Sequence, residues 1–287
     1  MRIGQPLKWP GGKGGGSQAR DLLACRPASF DEYREPFCGG CPFVWKPDIL
    51  SPSTPRWIND LDKPLINFYK QLKSDSTFID RFLRLRKRIL GHADRTIEAF
   101  EKAKEDFTTN GVSYLLLRRL AVRQIVKQSR SNTASICFDY IADYRGSLHP
   151  ITREKLEAWR KILRRVRITN LDYAEVLAYP VERGCCSWSF VDSPYWRRSA
   201  KSGDSGDQEL YDHIFTQEQH VELRDRLAEL DPDRHKFLMT IDDSELTHRL
   251  YGTSDDFFVY DRSLSYGMTD NGKRKIVHEL VVSNYAI

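Results

Sequence analysis

Hydrophobic positions along the chain alternate between helical spacing and short continuous runs, and that alternation sets out the elements. Residues 5–20 are glycine-rich and carry Lys8, Trp9 and Lys13, with a helix predicted from about Gln18 to Cys25. Residues 33–37 read as a short strand running into a glycine turn, and residues 57–60 as a second strand. A helix opens near Pro64, where proline suits a first turn, and places Leu65, Phe68, Tyr69 and Leu72 on one face. Residues 76–130 are mostly helical by period. Their last stretch, 114–130, holds Arg118, Arg119, Arg123, Lys127 and Arg130 with no acid. Residues 131–150 are irregular, and a basic helix follows at 152–165 with Leu156, Trp159, Ile162 and Leu163 on its apolar side.

The second half changes character. Apolar runs at 166–169 and 188–191 read as buried strands of a largely parallel sheet, whose strands are covered on both faces. Residues 196–209 are polar and glycine-bearing, and are expected to be mobile. A helix at 216–230 and a strand at 237–241 follow. The tail predicts a hairpin: 257–266, a turn at Asp270-Asn271-Gly272, then 275–283, since Asn-Gly between two β-type runs is a strong hairpin signal. Strands alternate with helices at both ends and a helical, basic block interrupts the middle. The expected fold class is therefore α/β, a sheet domain carrying an inserted module, with no internal repeat.

Composition narrows the class. With 287 residues, 40% hydrophobic and 30% charged, the chain is long enough to bury a core, and its composition is that of a globular protein. Lys+Arg 45 against Asp+Glu 40 gives a net charge of +5, which permits a polyanionic partner without requiring one. No stretch approaches the ~18 apolar residues of a membrane span. The first residues hold no apolar run, so no signal peptide is expected. The six cysteines, Cys25, Cys38, Cys41, Cys137, Cys185 and Cys186, are scattered, which suits reduced thiols in the cytoplasm. Cys38 and Cys41 form a single C-x-x-C with no second ligand pair at zinc-like spacing, so no metal is expected.

Three segments carry candidate chemistry. In Glu35-Pro36-Phe37-Cys38-Gly39-Gly40 an acid at a strand end precedes a glycine turn, which lets backbone approach a nucleotide-like ligand. Asn59-Asp60 ends the next strand, 25 residues after Glu35, where an acid accepts hydrogen bonds from ribose hydroxyls; a plain helix N-cap is the competing reading. Asp192-Ser193-Pro194-Tyr195 follows an apolar run. Its carboxylate and the next carbonyl suit the two hydrogens of an exocyclic amine, and its tyrosine suits stacking on the base that bears it; an ordinary turn with a packed tyrosine is the alternative.

Together these segments resemble the Dam-type DNA adenine methyltransferases, in the group whose cofactor motif precedes the catalytic motif. Residues 6–13, Pro6-Leu7-Lys8-Trp9-Pro10-Gly11-Gly12-Lys13, are similar to that family's K-W-x-G-G-K. Residues 34–40 resemble its E-P-F-x-G-x-G, Asn59-Asp60-Leu61-Asp62 with Tyr69 its N-D-x-N segment, and Ile168 to Tyr173 its I-x-x-x-D-[FY]. Asp192-Ser193-Pro194-Tyr195 stands where the family has D-P-P-Y. Tyr211, Phe215, His220 and Leu223 match a further family spacing, and Glu279 to Asn284 its closing strand. The resemblance runs in order from residue 6 to 284 and is weak over 75–165. Two departures stand out: Cys41 replaces a glycine of the cofactor turn, and Ser193 replaces a proline whose backbone carbonyl is the group the chemistry uses.

The resemblance implies a Rossmann-like, S-adenosylmethionine-dependent methyltransferase sheet formed by residues 1–74 and 166–287, with 75–165 as an inserted helical DNA-recognition module. It implies methyl transfer to the exocyclic amine of adenine in double-stranded DNA, with the base flipped out of the duplex. Asp192, Ser193, Pro194 and Tyr195 would be catalytic. Trp9, Lys13, Glu35, Pro36, Phe37, Gly39, Gly40, Asp60, Asp172 and Asp192 would hold the cofactor, with Lys13 on its methionine carboxylate. Lys8, Arg118, Arg123, Lys127, Arg130, Asn132, Arg262, Ser263 and Lys273 would meet DNA. Segment 196–209 would order over substrate or stay a plain surface loop. A monomer or weak dimer, cytoplasmic in a bacterium or phage-infected cell, is expected, with a cognate restriction nuclease as a candidate partner. The competing expectations are the same fold acting on cytosine's amine or on RNA, and a homologue that binds DNA with weakened catalysis.

Overall fold

The computed structural model describes residues 4–7, 9, 11–46, 51, 53–122, 126, 136–139, 144–195, 215–268 and 274–287. A seven-stranded sheet runs in the order β3-β2-β1-β4-β5-β7-β6. Its strands are β1 (Glu32–Glu35), β2 (Arg56–Asn59), β3 (Val166–Thr169), β4 (Ser187–Val191), β5 (His235–Asp242), β6 (Phe258–Met268) and β7 (Arg274–Ser283). Neighbouring strands from β3 to β5 pair parallel, and β7 runs antiparallel between β5 and β6. The expected hairpin is β6–β7; its turn lies outside the described residues. This is the predicted α/β class, a Rossmann-like methyltransferase sheet whose strand order reverses direction beside β1, between the halves β3-β2 and β4-β5.

The short apolar runs become strands because both faces of the sheet are covered. On β5, Leu238 packs into one core while Phe237, Met239 and Ile241 pack into the other. β7 divides the same way, with Val281 on the first face and Leu280 and Val282 on the second. The second face is closed by α8 (Tyr173–Leu177), α9 (Gln217–Ala228) and α10 (Glu245–Tyr251).

The first face is covered by α1 (Gly16–Ala24) and α2 (Lys63–Ser74), and then by the helical block. Asp62 caps α2 by accepting from the Leu65 N–H at 2.9 Å, and Pro64 sits in its first turn as expected. Residues 76–130, expected to be mostly helical, hold three helices: α3 (Phe78–Ile89), α4 (Ala93–Ala103) and α5 (Gly111–Leu120). The first break falls at Gly91, whose φ of +92 ends a helix without strain. The second follows Ala103 and closes where Asn110 caps α5. α6 (Tyr144–Leu148) was not foreseen in the irregular stretch, nor were the short helices α8 and α10. α7 (Arg153–Leu163) matches the predicted basic helix and buries Leu156, Trp159 and Leu163. Side chains of α2–α5 and α7 share one apolar core with β2 and β3, so the block 75–165 is continuous with the sheet's covering layer.

The N-terminal segment straps these parts together. Trp159 donates from Nε1 to the Gly4 carbonyl at 2.7 Å, and Arg119 donates to the Pro6 carbonyl. Among the described residues no helix is long and apolar enough to cross a membrane.

Candidate active site

Adjacent parallel strands β2, β1 and β4 deliver the three motif segments side by side at their carboxyl ends, where open α/β sheets bind ligands. Asn59 fastens this edge. Its Nδ2 donates to the carbonyls of Pro36 at 3.1 Å and Leu171 at 3.0 Å, while its Oδ1 accepts from the Leu171 N–H at 2.9 Å and from Thr169.

The glycine turn after β1 is held by the Asp60 and Tyr69 side chains on its backbone groups. Asp60 accepts from the Gly39 N–H at 2.9 Å through Oδ2 and from the Asp62 N–H at 3.0 Å through Oδ1. Tyr69 donates its hydroxyl to the Gly39 carbonyl at 2.9 Å. Gly39 takes φ +42, and a Cβ there would fall 2.8 Å from Trp9 Nε1, so both the backbone and the indole require glycine. Cys41 takes φ +54, a conformation natural to the family's glycine, so the turn keeps its shape despite the substitution. Its thiol is buried beside Cys38 and Tyr69, and burial pushes it up. Burial likewise raises the Asp60 carboxyl, opposed by its two backbone donors and by Arg118.

Phe37 stacks on Tyr173 at 5.0 Å between ring centroids, and Phe215 closes on Phe37 edge-on at 5.9 Å. Asp172 lies next to this aromatic group. It is exposed and caps α8 by accepting from the Ala174 N–H at 2.8 Å.

Glu35 was expected on the cofactor, and the structure turns it inward instead. Its Oε1 accepts from Tyr33 Oη at 2.8 Å and from the N–H groups of Phe43 and Val44 at 3.3 and 3.2 Å. Its Oε2 has no hydrogen-bond partner among the described residues. Full burial raises its carboxyl to about 8 against those donors, and the Asp192 charge pushes the same way. A carboxylate committed to three interior donors stiffens the turn from behind.

After β4, Asp192 accepts from the Thr240 hydroxyl at 2.7 Å. Burial raises its carboxyl, Lys13 and the Thr240 bond oppose that, and Glu279 adds to it. Ser193 is buried, and its hydroxyl has no hydrogen-bond partner among the described residues. Pro194 is partly exposed. Tyr195 donates to Glu279 Oε1 at 2.9 Å. Lys13, expected on a ligand carboxylate, is buried and ion-paired with the same Glu279 oxygen at 2.6 Å. Trp9 carries the Arg118 guanidinium 4.1 Å above its ring.

The expected DNA contacts divide three ways. Lys8, Arg123, Lys127, Arg130, Asn132 and Lys273 lie outside the described residues, as does segment 196–209. Ser263 is exposed on β6 and shares a hydrogen bond with His278, while Arg262 beside it donates to the Gln18 carbonyl at 3.1 Å. Arg118 is a correction: it is 3% exposed, donates from Nε to Tyr114 Oη at 3.0 Å and faces Asp62 at 3.7 Å. A basic residue at helical spacing looked solvated, but the N-terminal strap covers that face of α5. Sequence reasoning also passed over Thr240 and Glu279 as site residues. An acid interrupting the apolar run of a closing strand was the available signal for Glu279.

Among the described residues no group of three or more His, Cys, Asp or Glu is arranged to hold a metal ion. No curated protein matches the chain. The family model described as D12 class N6 adenine-specific DNA methyltransferase matches residues 9–266, which include the N-terminal tryptophan, the glycine turn and the Asp192 segment. By that match over most of its length, the chain belongs to the D12 class N6 adenine-specific DNA methyltransferases and is a DNA adenine methyltransferase.

Proposed function

We propose that this enzyme uses S-adenosylmethionine and methylates the exocyclic amine of an adenine flipped out of duplex DNA. The observation that carries the reading is the placement, on neighbouring strand ends, of the Asp60-locked glycine turn and the Asp192–Tyr195 segment. The residues suit the cofactor. Asp60 spends one hydrogen bond on each oxygen, which leaves lone pairs for ribose hydroxyls. Gly39 and Gly40 let the Trp9 side chain pack directly on the turn, and Phe37 with Tyr173 offers an apolar face beside Asp172 for an adenine ring and its amine. When bound, the cofactor supplies an electrophilic methyl group.

The chain's own groups then prepare the nucleophile. An adenine amine is a weak nucleophile because its lone pair is spread into the ring. Asp192 and the Ser193 carbonyl accept its two hydrogens, which favours a pyramidal nitrogen with an aimed lone pair. Thr240 holds the Asp192 carboxyl in place by donating to one of its oxygens. Tyr195 stacks on the base, and the half-buried position of Asp192 limits competing water at its hydrogen bonds. The block 75–165 and the β6–β7 hairpin carry the DNA-facing surface in this reading, with phosphates as the first contacts.

The test is methyl transfer from labelled S-adenosylmethionine to unmethylated duplex DNA, with Asp192→Ala alongside and the product digested for base identity. Label in 6-methyladenine with wild type and not with the variant supports the reading. Label in cytosine or on RNA only, or full activity in Asp192→Ala, overturns it.

A further inference from the structure

Glu279 lies on β7, outside the residues matched by the family, and its burial needs a reason. It is 2% exposed, and its Oε1 accepts from both Lys13 Nζ at 2.6 Å and Tyr195 Oη at 2.9 Å. Lys13 is 1% exposed, and its Nζ also sits 4.8 Å from the centre of the Tyr195 ring. One carboxylate oxygen therefore gathers the glycine-rich N-terminal segment and the end of β4 onto β7. Neither charge tolerates burial alone, so Lys13 and Glu279 act as a unit. A tyrosine held at its hydroxyl, with a cation against its ring, has little freedom to tilt. Asp192 feels both charges with opposite sign, Lys13 the more strongly.

We propose that Glu279 is a positioning residue for methyl transfer: its carboxylate orients the Tyr195 ring and holds Lys13 over it, so that the flipped base meets a fixed stacking face. This rests on the reading of Tyr195 as the stacking residue. The role differs from a merely structural one because it predicts loss of turnover with cofactor binding kept.

The experiment compares Glu279→Gln, Tyr195→Phe, Lys13→Met/Glu279→Leu and the combinations with Tyr195→Phe. Turnover and KM are measured on duplex DNA, S-adenosylhomocysteine affinity by calorimetry, and thermal melting on the free protein. Lys13→Met/Glu279→Leu leaves no buried charge behind, so it guards against simple misfolding. The expected result is a turnover loss of at least tenfold for Lys13→Met/Glu279→Leu and a smaller one for Glu279→Gln, which retains an acceptor for the tyrosine. S-adenosylhomocysteine affinity should stay within threefold. Tyr195→Phe should cost severalfold in wild type and add nothing to Lys13→Met/Glu279→Leu, and the two sites should couple in melting of the free protein. Turnover within twofold of wild type for Lys13→Met/Glu279→Leu, or an equal Tyr195→Phe cost with and without Glu279, overturns the proposal. Failure of the site reading shows separately, as undiminished methylation by Asp192→Ala.

Discussion

The two ends of the candidate site are built by different means. At the glycine turn, shape comes from left-handed backbone at Gly39 and Cys41 and from the Asp60 and Tyr69 side chains, which stand 21 and 30 residues from Gly39 in the next strand and helix. At the Asp192 segment, shape comes from distant side chains, with Thr240, Lys13 and Glu279 each arriving from a separate part of the chain. A site region made from turn glycines and the strand and helix that follow next announces itself in sequence. One made from converging side chains is visible only after folding.

The largest lever on this contrast is Glu35, which lies between the two ends. Its folded carboxyl is raised to about 8 from an ordinary 4.5, so the folded protein keeps a proton that the unfolded chain has lost. The Glu35 contribution to stability is therefore expected to fall as pH rises from about 4.5 to about 8, at up to ~1.4 kcal/mol per pH unit, while His220, pushed down to about 4 by burial, works the opposite way up to about 6.5. Thermal melting of wild type and Glu35→Gln across that window isolates this share, because the stability of wild type relative to the variant should fall as pH rises. A difference that does not change with pH would show that Glu35 holds no extra proton in the folded state.

Paired alanine variants separate the ends by function. Asp192→Ala should lower turnover by about a hundredfold or more while S-adenosylhomocysteine still binds. Asp60→Ala should do the opposite first, weakening S-adenosylhomocysteine by ~10- to 100-fold, since it removes an acceptor from a buried N–H at Gly39. Calorimetry with single-turnover kinetics distinguishes them. Equal effects of both variants on both readouts would erase the proposed division.

The smallest effect tests the turn alone. A side chain at φ +54 carries a strain of about 1–2 kcal/mol that glycine escapes. Cys41→Ala keeps the strain and loses the buried sulfur, so it should melt lower than wild type. Cys41→Gly should be the milder change by about 1 kcal/mol, contrary to the usual order of alanine and glycine, and should leave S-adenosylhomocysteine affinity intact or improved. Melting temperatures of the two variants decide it.

The same contrast explains what could be read in advance. The strands, the helix opening at Pro64 and the hairpin were legible, because each depends on its own spacing and turn residues. Asp60 was legible as a strand-end acid, while the helix cap of its competing reading is supplied by Asp62 instead. The division of 76–130 was missed because an apolar period continues across Gly91. Arg118 was misread because nothing near it in sequence reports the Trp9 ring that lands on it. Glu35 was misplaced because its family position says where the backbone goes, while its partners at Phe43 and Val44 decide where the carboxylate points.

The Lys13–Glu279 pair spans 266 residues of sequence. At ribosomal speeds of about 5–20 residues per second, Lys13 emerges roughly 13–53 s before its partner is made. Until then a cation destined for burial has no counter-charge, and Tyr195 has no anchor. The nascent chain can build the glycine turn early, yet the wall opposite it closes last. Closure of this wall thus waits for synthesis of the strand bearing Glu279, a delay written into chain order.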